Sequence, residues 1–502
     1  MNPTDWINRR TAARAVDLAL VTACLLFGAV CVSGQSFWLD EVRSGAKAVQ
    51  PTVGAFVSEL LRMGGSDVQM PLYMAALWVW ARIFGSAEWT LRALNLVFLA
   101  LALPVALSTR GVLRPVRRWW AVLLTLSPLV TFYLDEARPY LLLLLGGTLV
   151  SSAMAAPPPD GWPERRDVHR LLLGAVVLSA ASLTGAVFAA WPCLWLLLRA
   201  LRRPPAKKEF RALAPALAAA ALALVALAVY FLWTLLAGYR GTQSYSTNWR
   251  TAAFCVYEFL GASGLGPGRA ALRTAPFAAL RSFVIPLAGV ATVWALLPCA
   301  AFRSHSLPLR RAVRHPLFAC AAAGALLLLA GGTATHLRIV GRHLIPALPA
   351  FLLALAWGLD AIIRHDDRAG RLVAAALCAL WLASSLSLRF APRHAKDDVR
   401  AAAHLARDAA ETGSVVWWGG DKWTFEYYPP PSGAAASRLL LFPDSTEAPL
   451  PRPALAVLSS KYDISDPDGS RRALLLALGL VPSPSPPRGF VLWTPSPSEQ
   501  DL

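Results

Sequence analysis

"ALAPALAAAALALVALAVYFLWTLLAG", residues 212–238, contains no ionisable side chain other than Tyr230. As a helix it is long enough to cross a hydrocarbon core of roughly 30 Å. The whole chain shares this bias. Of its 502 residues, 56% are apolar and 16% are charged, whereas soluble domains carry about 25% charged residues. Mean hydropathy is +0.48. These values exclude an ordinary soluble protein and imply an integral membrane protein.

Similar apolar runs recur along the first 390 residues and alternate with short basic loops. Arg9, Arg10 and Arg14 precede the first run, and "VSG" (32–34) is a poor cleavage site, so the spacing predicts an uncleaved first transmembrane helix. With the N-terminus in the cytoplasm, spans are expected at about 16–34, 89–108, 119–133, 139–156, 171–185, 187–200, 213–236, 278–300, 316–334, 344–362 and 371–389. On this count of about eleven helices, every strongly basic loop falls inside. The net charge of +18 then reads as contact with anionic lipid, and nucleic-acid binding is not expected. The seven cysteines show no CxxC pair and sit mostly in apolar runs. They read as buried hydrophobes, not as a disulfide framework or a zinc site.

Two regions stand apart. The first outer loop, about 35–88, includes "PLYMAALWVWARIFG" (71–85), short for a span and suited to an interfacial helix with Trp78 and Trp80 at headgroup level. From residue 391 to 502 apolar runs shorten and prolines accumulate. "DDVRAAAHLARDAAETG" predicts an amphipathic helix ending at Gly413, and "DGSRRALLLALGL" a second helix. "SVVWWGG", "RLLLF", "PALAVLSS" and "GFVLWTP" predict strands. The stretches at 481–487 and 495–498 read as loop and tail. The division expected is a transmembrane domain over 1–390 and a small α/β domain outside the membrane over 391–502.

This topology gathers acidic groups on the outer side: Asp40 and Glu41 in "SFWLDEVRSGAKAV", Asp67 in "SDVQMPLY", and Asp135 and Glu136 in "YLDEARPY". Arg138, Arg338 and Arg342 face the same side. Carboxylates beside arginines at a membrane surface suit a reaction on a lipid-linked anion, the carboxylate taking a proton and the arginines holding a phosphate. Each residue also has a plainer reading. Asp40 suits a helix cap, Glu136 with Arg138 could hold a turn, Asp135 could be a solvated loop residue, and Arg342 could anchor the interface. The glycine- and arginine-rich stretch "YEFLGASGLGPGRAALR" (257–273) opens no nucleotide site, and a flexible loop over the active site is expected there.

Four stretches, in order, resemble the polyprenyl-phosphate-sugar-dependent GT-C glycosyltransferases, the superfamily of protein O-mannosyltransferases and lipid A aminoarabinose transferases. They are "FWLDE" (37–41), "SDVQMPLYMAALWVWARIFGSAEWTLR" (66–92), "LSPLVTFYLDEARPY" (126–140) and "GRHLIPALPAFLLALA" (341–356). The resemblance implies Asp40 as catalytic base, with Glu41, Asp135 and Glu136 in the active site. It implies Arg342, Arg138, Arg338 and His343 around a lipid phosphate. Asp67, Gln69, Tyr73 and Tyr140 are assigned to the acceptor or substrate side. Gln69 and Met70 stand where the family often shows His-Pro. The implied reaction transfers a sugar from a polyprenyl phosphate to an acceptor hydroxyl on a protein, lipid or glycan, with inversion, in a bacterial inner membrane. No cofactor is expected, and with no DxD pair a divalent metal is not expected either. A flippase or transporter of lipid-linked sugars would place charges mid-membrane or show repeats. Here charge sits at helix ends, apart from Asp17. A non-catalytic membrane scaffold would tolerate replacement of Asp40.

Overall fold

The computed structural model describes residues 3–110, 115–156, 162–239, 247–303, 315–364, 368–442 and 451–496. The basic stretches expected inside at 111–114, 304–314 and 365–367 lie outside them. The chain divides into two compact units. One comprises Met1–Ser33, Gly64–Leu77 and Arg92–His394; the other Gly34–Met63, Trp78–Leu91 and Ala395–Leu502.

The first unit is helical. Among the described residues of the chain, seven helices are long and apolar enough to cross a membrane: Thr11–Cys31, Glu88–Leu107, Leu183–Arg202, Lys207–Leu236, Pro316–Ala334, Gly341–Arg364 and Arg368–Phe390. Pro71–Phe84, Tyr140–Ala155 and Val284–Ala300 are shorter apolar helices. The expected span at 119–133 is instead two helices, Arg117–Leu126 and Pro128–Leu134, parted at Ser127. Pro128 supplies the reason: it lacks an amide hydrogen and disfavours helical geometry in the residue before it. The Tyr140–Ala155 helix is buried along its whole length, which explains why its sequence shows no polar face. Polar pins join the bundle. Trp120 donates its indole N–H to the Pro349 carbonyl (3.0 Å), and Trp381 donates to that of Leu260 (3.1 Å). Asp17 accepts from both Arg117 and Arg118 at 2.7 Å, so this acid within the first helix docks the Arg117–Leu126 helix.

The second unit holds the sheet. β1 (Val416–Gly419), β2 (Leu439–Leu441), β3 (Leu455–Ser459), β4 (Leu480–Pro482) and β5 (Phe490–Pro495) lie in the order β2-β1-β3-β5-β4. β1 pairs in parallel with β2 and β3; β5 runs antiparallel between β3 and β4. Trp417, Phe442, Ala456, Leu458, Leu475, Leu480 and Trp493 form its core. The Val399–Glu411 helix is capped by Asp398, whose side chain accepts from the Ala401 amide (3.0 Å), and ends before Gly413 at φ +105°. β4 occupies part of a stretch expected to be loop. It is a short edge strand whose Pro482 needs no amide partner. Residues 34–63 and 78–91 pack with this domain. The indoles of Trp78 and Trp80 donate to the carbonyls of Gln50 (2.9 Å) and Thr90 (2.8 Å).

The Arg165–Ala181 and Leu183–Arg202 helices turn sharply at Ser182, and a Cβ on Gly185 would collide with the Leu178 carbonyl oxygen. Gly185→Ala should therefore destabilise the bundle by about 1–3 kcal/mol, read as a lowered thermal midpoint in detergent. Gly289→Ala, whose Cβ meets nothing within 4 Å, should leave the midpoint unchanged.

Candidate active site

In the first unit, the segment between the Pro128–Leu134 and Tyr140–Ala155 helices, residues 135–139, presents three functional candidates. Each has a different environment. Asp135 accepts from the Ser33 amide (2.5 Å) and hydroxyl (2.8 Å), with buried Arg92 at 3.9 Å, so it ties the end of the first helix to this turn. Glu136 is buried, and its carbonyl accepts from Asn95 (2.5 Å). Arg138 is paired with Asp67, and both side chains are almost fully buried. Arg138 also donates to the Ser66 hydroxyl at 3.0 Å. Asp67 sits on the Gly65–Gln69 turn, which Gly64 and Gly65 enter at positive φ. Gln69 donates to the Tyr239 carbonyl (2.7 Å). Tyr73 is buried near Phe98, and the Tyr140 ring lies 4.6 Å from that of Tyr133.

A second cluster was not anticipated from the sequence. Glu258, on the Trp249–Phe259 helix, is 1% exposed. One carboxylate oxygen accepts from Arg269 at 2.5 Å and the other from the Gly341 amide at 3.0 Å. Arg269 also donates to the Tyr133 hydroxyl (3.0 Å), and its guanidinium stacks 3.8 Å from the Phe132 ring centroid. Burial pushes the Glu258 carboxyl up, and Arg269, the Gly341 amide and Arg342 oppose that rise. Burial acts against the Arg269 cation, but Tyr133, Glu258 and Glu136 outweigh it and hold the charge firmly. In sequence Glu258 is a single loop acid; only its coincidence with the "GRH" of 341–343 and the arginine of "GPGR" could have drawn notice.

The Glu258 neighbourhood includes the expected Arg342, half-buried at the next residue after Gly341. His343 accepts the Val340 amide on Nδ1 (3.1 Å) and so caps the turn it begins. Arg338 is exposed. The 257–273 stretch is anchored where a flexible loop was expected. Arg393 donates to the carbonyls of Gly264 (2.8 Å) and Gly266 (3.1 Å), and the Ser384 hydroxyl accepts the Gly264 amide (3.0 Å). These bonds satisfy loop backbone that would otherwise need water.

Asp40 and Glu41 belong to the second unit, on the Leu39–Ala48 helix. The N-cap is Trp38, so Asp40 is not the cap; it lies half-buried in the first turn, where a carboxylate suits the helix terminus. Glu41 is fully buried and accepts from Lys396 (3.0 Å). Arg43 grips Asp421 through two bonds of 2.7 and 3.0 Å. The turn that follows Asp40 is thus fastened to Lys396 and Asp421. Among the described residues, no three His, Cys, Asp or Glu side chains gather as a metal site would require.

No protein-family model matches the chain, and no curated protein matches it. Solved structures do. ArnT from Cupriavidus metallidurans, in a crystal structure bound to undecaprenyl phosphate, superposes with a TM-score of 0.51 at 12% identity, over 98% of this chain and 98% of that one. Its apo structure gives 0.52 at 13% identity, over 96% and 98%. The chain has the fold of these ArnT structures. The likeness runs through both units, from the membrane helices to the small strand-containing domain.

Breaking a buried ion pair leaves an uncompensated charge and costs about 3–5 kcal/mol. Arg138→Met should lower stability by that order in denaturant titration. The double variant with Asp67→Leu should recover much of the loss, because the stranded carboxylate is gone.

Proposed function

We propose that the protein is a membrane glycosyltransferase that moves a sugar from a polyprenyl phosphate to an acceptor hydroxyl on the outer face of a bacterial inner membrane. The observation carrying this reading is the end-to-end GT-C fold shared with ArnT, a protein whose crystal structure holds undecaprenyl phosphate. The first unit adds a chemically suitable cluster: Arg269 and Arg342 flank the buried Glu258.

In this mechanism Asp40 accepts the proton of the acceptor hydroxyl as its oxygen attacks the anomeric carbon. The bond from that carbon to the phosphate oxygen breaks, its electron pair stays on the phosphate, and the configuration inverts. Arg342 and Arg269 stabilise the charge that grows on the leaving phosphate. A phosphate leaves without protonation, so no second carboxyl is required as general acid, unlike the glycosidases. Arg138 and Asp67 satisfy one another. Glu41 and Asp135 hold elements in place by their bonds to Lys396 and Ser33. Because arginines supply the positive charge, the reaction needs no metal. The N-terminus lies in the cytoplasm and the sheet domain outside.

Loss of a general base typically costs 10²–10⁴-fold in rate. Asp40→Asn should therefore slow sugar transfer by about that factor in membranes given a panel of polyprenyl-phosphate sugars and a native membrane extract as acceptor. Transfer at the wild-type rate would remove Asp40 from the base role. Movement of the lipid-linked sugar across the bilayer without transfer would favour a flippase.

A further inference from the structure

Glu258 is a buried acid that the mechanism above does not use, and both of its oxygens are committed to neighbours that bear on arginines. One holds Arg269 directly; the other holds the backbone amide that precedes Arg342. We propose that Glu258 is a positioning residue that sets these two arginines to receive the phosphate of the lipid-linked substrate, an inference that rests on the glycosyltransferase reading.

Three features support a positioning role over simple charge neutralisation. First, both hydrogen bonds of Arg269 leave from Nη2, one to Glu258 and one to Tyr133, so among the described residues its Nε and Nη1 donors are uncommitted. Its side chain is 42% exposed, against 1% for Glu258. The carboxylate therefore holds the back of the guanidinium while the front remains accessible. Second, the Phe132 ring beneath the guanidinium fixes its plane. A planar donor fixed before the ligand arrives loses less entropy on binding an anion. Third, Gly341 has no room for a side chain, since a Cβ there would strike the second oxygen of Glu258. The approach of this backbone to the carboxylate is thus a close one, and it sets where the chain places Arg342.

The test measures binding of farnesyl phosphate to the full-length protein in detergent micelles, with farnesol as the uncharged control. It needs neither sugar nor acceptor. Glu258→Gln keeps a carbonyl oxygen for the Gly341 amide but removes the charge that holds Arg269. It should weaken farnesyl phosphate about tenfold while leaving farnesol binding near wild type. Arg269→Gln should weaken it by a similar factor. The double variant should bind no more weakly than Arg269→Gln alone, because Glu258 acts through Arg269 in this arm. Wild-type affinity in Glu258→Gln, or additive losses in the double variant, would overturn the inference. If Glu258→Gln fails to fold, Gly341→Ala tests the other arm: it should also weaken farnesyl phosphate, and unchanged affinity would overturn the proposal. A wild-type protein that does not distinguish farnesyl phosphate from farnesol would bring down the glycosyltransferase reading and this inference with it.

Discussion

A charge removed from water must find a partner, and in this chain that requirement decides which loops meet. Inside an apolar bundle an isolated carboxylate or guanidinium is too costly to keep. Asp17 therefore draws in Arg117 and Arg118, Asp135 engages Ser33 near Arg92, Asp67 meets Arg138, and Glu258 takes Arg269 and the Gly341 amide. Apart from Glu258 and Arg269, which are 11 residues apart, each pair joins segments far apart in the chain. The first docks two helices. The others fasten turns and loops of the first unit to its helices and to one another.

The second unit follows different physics. Its sheet folds around a small apolar core of Trp417, Phe442, Leu458 and Trp493. It also takes up outer-loop segments that precede it by hundreds of residues. The Leu39–Ala48 helix is held on one side of Asp40 by Tyr428, whose hydroxyl accepts the Phe37 amide at 3.1 Å, and on the other by Asp421 and Lys396. The helix that carries Asp40 is thus held by side chains from the last quarter of the chain.

Much of this was legible beforehand, and the reason differs from residue to residue. Apolar runs such as 212–238 announce helices because a long uncharged stretch has few alternatives in a bilayer. The strands around Trp417 and Leu458 were visible because β-branched and aromatic residues cluster between turn formers. β4 was missed because three residues ending in proline carry no periodicity. Ser127 was read through because the break lies in one Ser-Pro step within an otherwise apolar run. The motif put Asp135 among the site candidates, and its bonds to Ser33 are something no local pattern records. Glu258 escaped notice because its partners, Arg269 and Gly341, lie 11 and 83 residues away.

The sequence by itself determined that this is a polytopic helical membrane protein with a small α/β domain near its C-terminus, since hydropathy and residue periodicity are local properties summed along the chain. It also marked the acidic and basic residues at helix ends. Only the tertiary structure decided which carboxylate pairs with which arginine, that the first outer loop packs with the C-terminal domain, and that the 257–273 stretch is anchored. Those outcomes depend on long-range contacts among buried polar groups, whose energies arise only once distant segments have been brought together and water has been excluded.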